Sequence, residues 1–174
     1  MTLFLRRLSH CTLEVFTQVL DLSSAHVVIE NCRVDGLTFL GYPRTLWGTN
    51  LYGDPSDLIR NWEGSEIVLQ NCLGFNDDTL SLLRPRENPA YHGLDVLKLL
   101  DCPNFTSSGL RKLVEDRFDA LQCIDDLALE PLGFWELTVV DPRPLDEETT
   151  QWFRNRVHSF WWCSGRPTEP VHVY

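Results

Sequence analysis

Leu94-Asp95-Val96-Leu97-Lys98-Leu99-Leu100-Asp101-Cys102-Pro103-Asn104-Phe105-Thr106-Ser107-Ser108-Gly109-Leu110-Arg111-Lys112-Leu113 is the stretch on which the fold turns. Leu94, Leu97 and Leu99 stand eight, five and three residues before Cys102, giving LxxLxLxxC. Leu97 and Leu99 alternate with polar Lys98, as in a short strand with one buried face. Past the cysteine, Thr106 is a good helix N-cap, and Leu110, Leu113, Val114 and Phe118 fall on one face of a helix over 106–118. Strand, turn and returning helix make one unit.

The same frame recurs on either side. At Cys72 it finds Gly64, Ile67 and Leu69, and at Cys32 it finds Ser24, Val27 and Ile29. At Cys11 it finds Leu3, Arg6 and Leu8, with Arg6 the one break at the two positions nearest the anchor. A fifth copy ends at Pro142, after Phe134, Leu137 and Val139. Cys11, Cys32, Cys72, Cys102 and Pro142 are therefore expected to anchor the turns. Asn76 and Asp146 match Thr106 as caps, and the acidic pairs Asp77-Asp78 and Glu147-Glu148 suit the positive end of a helix dipole. Phe75 with Leu80, and Phe105 with Leu110, have the spacing of a hydrophobic staple. In 146–162, Phe153, Val157, Phe160 and Trp161 predict a further helical stripe.

One such unit cannot bury both its flanks, whereas stacked units share a continuous core. The expected fold is α/β: a short right-handed solenoid, with parallel strands on the concave face and helices on the convex face. The expected domain covers 1–163 and holds about five irregular repeats. Uneven anchor spacing predicts loop insertions near 41–63 and 84–93, where Pro, Gly and Asn accumulate, and an irregular tail over 164–174.

Composition narrows the function. Hydrophobic residues make up 43% of the 174, enough for a packed core. Fifteen basic against 25 acidic side chains give a net charge of -10, which phosphate backbones repel, so no nucleic-acid partner is expected. No apolar run reaches the roughly 18 residues of a membrane helix, so no membrane partner is expected either. The N-terminus runs apolar first and basic second, the reverse of a secretory signal. The reading is a cytoplasmic or nuclear protein whose six cysteines are free thiols.

The segment 94–113 resembles the cysteine-containing leucine-rich repeat, in which LxxLxLxxC is followed by two residues, an apolar residue, Thr, and Gly-Leu before the helix. Asp101-Cys102-Pro103-Asn104-Phe105-Thr106, with Leu110-Arg111-Lys112-Leu113-Val114-Glu115-Asp116-Arg117 beyond it, is similar to the C-terminal repeats of fungal F-box proteins. That resemblance implies the substrate-recognition part of a ubiquitin-ligase receptor. The F-box itself, with its LPxE-like opening, is not found in the chain, so a ubiquitin-ligase adaptor is an expected partner only if an F-box is supplied upstream. A stand-alone repeat scaffold or inhibitor is the alternative.

In either case the partner is a protein or peptide, held by strand residues that alternate with the buried ones. These are His26, Val28 and Glu30; Glu66, Val68 and Gln70; Val96, Lys98 and Leu100; and Glu136, Thr138 and Val140. Arg7 and Ser9 take the same place in the first copy. Trp47 and Trp62, in the insertion with Tyr42 and Tyr52, are expected as exposed anchors. No cofactor or metal is expected, because His158, Cys163 and His172 match no standard zinc spacing and the acid pairs lack an EF-hand pattern. An enzyme is not expected. The outside reading is a thiol-dependent hydrolase using Cys163 with His158, or Cys11 with His10.

Overall fold

A computed structural model describes residues 1–23, 25–41, 43–60, 63–85, 93–122 and 134–164. Seven strands make one sheet: β1 (Thr2–Arg6), β2 (His26–Glu30), β3 (Thr45–Thr49), β4 (Glu66–Gln70), β5 (Val96–Leu100), β6 (Phe134–Val140) and β7 (Val157–Cys163). Every pairing is parallel, and every strand lies beside its predecessor in the chain. Helices α1 (His10–Val19), α2 (Ser56–Arg60), α3 (Asp77–Ser81), α4 (Ser107–Gln122) and α5 (Glu147–Arg154) follow β1, β3, β4, β5 and β6. The architecture is α/β, a seven-stranded all-parallel sheet alternating with helices.

Register explains the core. Leu3, Val27, Leu46, Ile67, Leu97, Leu137 and Phe160 align across the strands, as do Leu5, Ile29, Gly48, Leu69, Leu99, Val139 and Trp162. These rows pack with Leu13, Ile59, Leu80, Leu110, Leu113 and Phe153 of the helices in a single cluster. All five helices therefore cover one face of the sheet. Among the described residues, no helix packs on the opposite face, here called the open face.

The turns explain why the strands stack in that register. Asn31, Asn50, Asn71 and Asp101 each follow a strand with φ between 50° and 54°. Asn and Asp are the non-glycine residues that tolerate this left-handed region best. Each left-handed residue donates its N–H to the last strand residue of the next unit: Asn31 to Thr49, Asn50 to Gln70, Asn71 to Leu100 and Asp101 to Val140. Their side chains extend the chain of bonds, Asn50 Nδ2 donating to Asn31 Oδ1 at 3.1 Å and Asn71 Nδ2 to Asn50 Oδ1 at 2.7 Å.

The next residue is the buried anchor. Cys32, Cys72 and Cys102 are each 1% exposed. Each thiol lies against a backbone carbonyl of the preceding strand and one of its own: Leu5 and Glu30, Gly48 and Gln70, Leu69 and Leu100. A small apolar group with a weak donor fits this place better than a larger or more polar one. Hydrogen bonding with Cys72, together with burial, pushes the Cys102 thiol far above its ordinary range.

Four expectations are corrected. The first frame is three residues too long: Leu3 and Leu5 face the core, so Leu8 holds the anchor position, after left-handed Arg7. Cys11 is exposed on α1 and anchors nothing there. Arg7 and Ser9 lie beyond the strand, and the outward residues of β1 are Thr2, Phe4 and Arg6. Second, 41–63 is not only a loop but contains β3 and α2, a full unit with Leu51 as its anchor. Gly48 stands where the neighbouring strands carry Ile29 and Leu69, and Leu51 and Leu69 fill the space that a Cβ would need.

Third, Pro142 is exposed. Its neighbour Asp141 is buried instead, without the left-handed turn, and accepts from the Arg143 N–H at 2.7 Å and from Arg143 Nε at 2.8 Å. Fourth, the stripe over 146–162 is not one helix. α5 ends at Arg154, and Val157 opens β7, whose Phe160 and Trp162 reach the core as strand residues. Seven strands replace the expected five. Of the second loop, residues 86–92 lie outside the described residues, and so does the tail beyond Ser164.

The caps form where expected. Asn76, Thr106 and Asp146 accept from the N–H of Thr79, Gly109 and Thr149 at 3.0, 2.9 and 2.7 Å. Thr106 is held in turn by Asp77 of the preceding unit, which accepts its N–H at 2.8 Å and its hydroxyl at 2.7 Å. A Cβ on Gly109 would strike that carboxylate, so the cap-to-helix step requires glycine there. On the buried side of α4, Arg117 is 3% exposed, donates to the Leu94 carbonyl at 2.6 Å, and lies 4.5 Å from the Phe134 ring. Burial pulls its pKa down to about 10.

Candidate functional site

The open face is built from the residues that alternate with the core rows. Its central row runs Phe4, Val28, Trp47, Val68, Lys98, Thr138 and Trp161 across β1 to β7. On one side lies the row Thr2, His26, Thr45, Glu66, Val96, Glu136 and Ser159, and on the other Arg6, Glu30, Thr49, Gln70, Leu100, Val140 and Cys163. All twelve strand residues expected to face a partner stand on this surface.

Their exposure is uneven. His26 and Gln70 are exposed, while Val28, Glu30, Glu66, Val96, Lys98, Glu136 and Thr138 are half-buried. Val68, Leu100 and Val140 are 7%, 7% and 5% exposed although no helix of the described residues covers them. They form a second apolar cluster, separate from the main core, with Trp47 and Cys163 packed on it. Neighbouring strands bring these side chains within reach of one another, so they shield each other laterally. At the two ends of the central row, Phe4 is 56% and Trp161 64% exposed.

Charge is distributed in pairs. Arg6 Nε meets Glu30 at 2.8 Å, and Lys98 Nζ meets Glu136 at 2.9 Å, each across adjacent strands. His26 Nδ1 lies 2.7 Å from Thr45 Oγ1. Among the described residues, no hydrogen bond or ion pair engages the Glu66 side chain.

Trp47 lies in β3, half-buried on this face, rather than in a loop. Trp62 lies outside the described residues. Sequence reading passed over Phe4 and Trp161, because one sat in a frame shifted by three residues and the other in a helix that is a strand. Asn50-Leu51 carried a usable signal. It repeats the pairs Asn31-Cys32, Asn71-Cys72 and Asp101-Cys102, and would have located β3 five residues earlier.

No known protein family, curated protein or solved structure matches this chain. Its chemistry must be read from its own geometry.

That geometry separates the candidate thiol pairs. Cys163 and His158 are five apart on one strand, about 16 Å along it, which keeps the thiol and the imidazole out of hydrogen-bond reach. Cys163 packs on the open-face cluster, and His158 stacks on Trp135 with ring centroids 3.9 Å apart. His10 Nδ1 lies 3.2 Å from the Arg33 carbonyl oxygen. Among the described residues, no group of three His, Cys, Asp or Glu side chains is placed to hold a metal ion. His172 and Asp125-Asp126 lie outside those residues. Among them, too, no helix is long and apolar enough to cross a membrane.

Proposed function

We propose that the chain is a leucine-rich-repeat module that binds a protein or peptide on the open, concave face of its sheet. One observation carries this reading: an apolar cluster of Trp47, Val68, Leu100, Val140 and Cys163 lies outside the core, on a face that no helix of the described residues covers. Exposed aromatic residues at both ends of the same face, and paired charges between them, are the mixture that protein interfaces use. The leucine-rich-repeat reading is supported by strand order, by the repeated left-handed Asn or Asp, and by the buried Cys or Leu after it.

From the resemblance of 94–113, the module is the substrate-holding part of an F-box-type ubiquitin-ligase receptor in the cytoplasm or nucleus, and not an enzyme. The adaptor is engaged only through an upstream F-box. A photo-crosslinking residue tests the binding face. His26→p-benzoylphenylalanine, at an exposed position of the open face, is expected to yield a covalent adduct with a protein partner in cells. Lys112→p-benzoylphenylalanine, on the exposed side of α4, is expected to yield none. Adducts from α4 alone would contradict the reading. Recovery of a cullin adaptor with the native gene product would support the ligase role, and failure to recover it would remove that role while leaving the binding face intact.

A further inference from the structure

We propose that the open face takes an extended protein segment carrying a Lys or Arg, whose cation is held between the Trp47 ring and the Glu66 carboxylate. This deepens the binding reading above and rests on it. Three carboxylates and two cations stand on this face between β1 and β6. The cations are engaged with Glu30 and Glu136, at 2.8 and 2.9 Å. Glu66 has no such partner among the described residues, yet it is half-buried in the middle of the sheet. A carboxylate partly withdrawn from water gains more from an incoming cation than one on the rim.

Trp47 is placed to share that cation. It pairs with Val68 on the neighbouring strand, while Glu66 pairs with Thr45, so the ring and the carboxylate are diagonal neighbours on one face. Indole is the aromatic ring that attracts cations most strongly. Arg fits best, because a planar guanidinium can stack on the ring and bond the carboxylate together.

The rest of the segment is apolar. Val68, Leu100 and Val140 begin at the next row and continue across the following strands. From Glu66 to the middle of that cluster is about 10–14 Å by strand geometry, which an extended chain spans in about three to four residues. The motif is therefore a basic residue followed or preceded, three to four positions away, by a large apolar one. The chain's net charge of -10 draws basic segments toward it over longer distances.

The test is selection of a random-peptide phage library on the full chain, followed by affinity measurements with the enriched peptides. Enrichment of Lys or Arg at that spacing from an apolar residue is expected. Glu66→Gln should weaken those peptides by about tenfold and Glu66→Lys further, with the loss shrinking at high salt. Glu66→Gln should leave the denaturation midpoint close to that of the native chain, since no hydrogen bond or ion pair among the described residues engages the carboxylate. Gln70→Trp, a plug on the middle strand beside Leu100, should abolish binding. Peptides blocked by Gln70→Trp but indifferent to Glu66→Lys would overturn the cation site and leave the binding face standing. Enrichment of acidic peptides would also overturn it. Peptides indifferent to Gln70→Trp, a library with no enrichment, or self-association of the chain through this face would overturn both.

Discussion

Leu99 and Leu100 are adjacent on β5 and both are buried, at 0% and 7% exposure, but different things bury them. Leu99 lies under the helices, in the cluster that joins every unit. Leu100 is covered only by its neighbours on the open face. Burial of the first measures how the fold is held together. Burial of the second measures how a surface lowers the cost of being apolar in water while it stays available to a partner. Along most of each strand, parity thus divides the side chains into those that pack under the helices and those that the proposed reading leaves for a partner.

The sharpest way to break this comparison is Leu99→Ala. Loss of a fully buried Leu is expected to cost ~2–5 kcal/mol in urea denaturation. A cost near zero would mean that the helix-side row does not carry the core. A smaller effect is expected from Asn50→Ala. It removes both side-chain bonds of the ladder and puts Ala in a left-handed turn, for about 1–2 kcal/mol by the same measurement. Asn50→Gly, which relieves the turn but not the bonds, should recover part of that loss.

Asp141→Asn sharpens the comparison at the turn that departs from the others, with an expected loss of about 1 kcal/mol at neutral pH. Burial pushes the Asp141 carboxyl up, but hydrogen bonds from the Arg143 side chain and backbone, and its charge, outweigh burial and hold it below the usual range. A lowered folded value means stability that is fully present above the unfolded carboxyl range near about pH 4, and lost as pH falls through the folded value. The stability curves of the native chain and Asp141→Asn should therefore converge as the medium is acidified. Curves that stayed parallel below that range would show that the carboxylate charge is irrelevant.

Smallest of all is the expected effect of Trp161→Thr on stability, within about 0.5 kcal/mol, because the ring is exposed and threonine keeps the strand's β-branched preference.

Much of the helix-side core was legible because buried rows repeat. Val27 with Ile29, Ile67 with Leu69, Leu97 with Leu99, and Leu137 with Val139 were placed correctly from four anchors, even though one of those anchors, Pro142, is not buried. β3 was hidden because Gly48 breaks the apolar row, its volume supplied by Leu51 and Leu69 from neighbouring positions. β7 was hidden because Phe153, Val157, Phe160 and Trp161 also satisfy a helical period. Periodicity alone cannot tell a helix followed by a strand from a longer helix. The open face was readable by alternation wherever the strand had been found. What the sequence could not show was that Val68, Leu100 and Val140 shelter one another, since that depends on which strands are neighbours.

The central claim is that the helix side holds the fold and the open side is free to bind. It is tested most directly by the triple variant Phe4→Thr, Val28→Thr and Trp161→Thr, measured in one preparation for urea midpoint and for crosslinking to the partner through position 26. A midpoint close to that of the native chain, together with loss of the adduct, is the predicted result. A chain destabilised as far as Leu99→Ala, or an adduct formed as before, would contradict the division of the sheet into a folding face and a binding face.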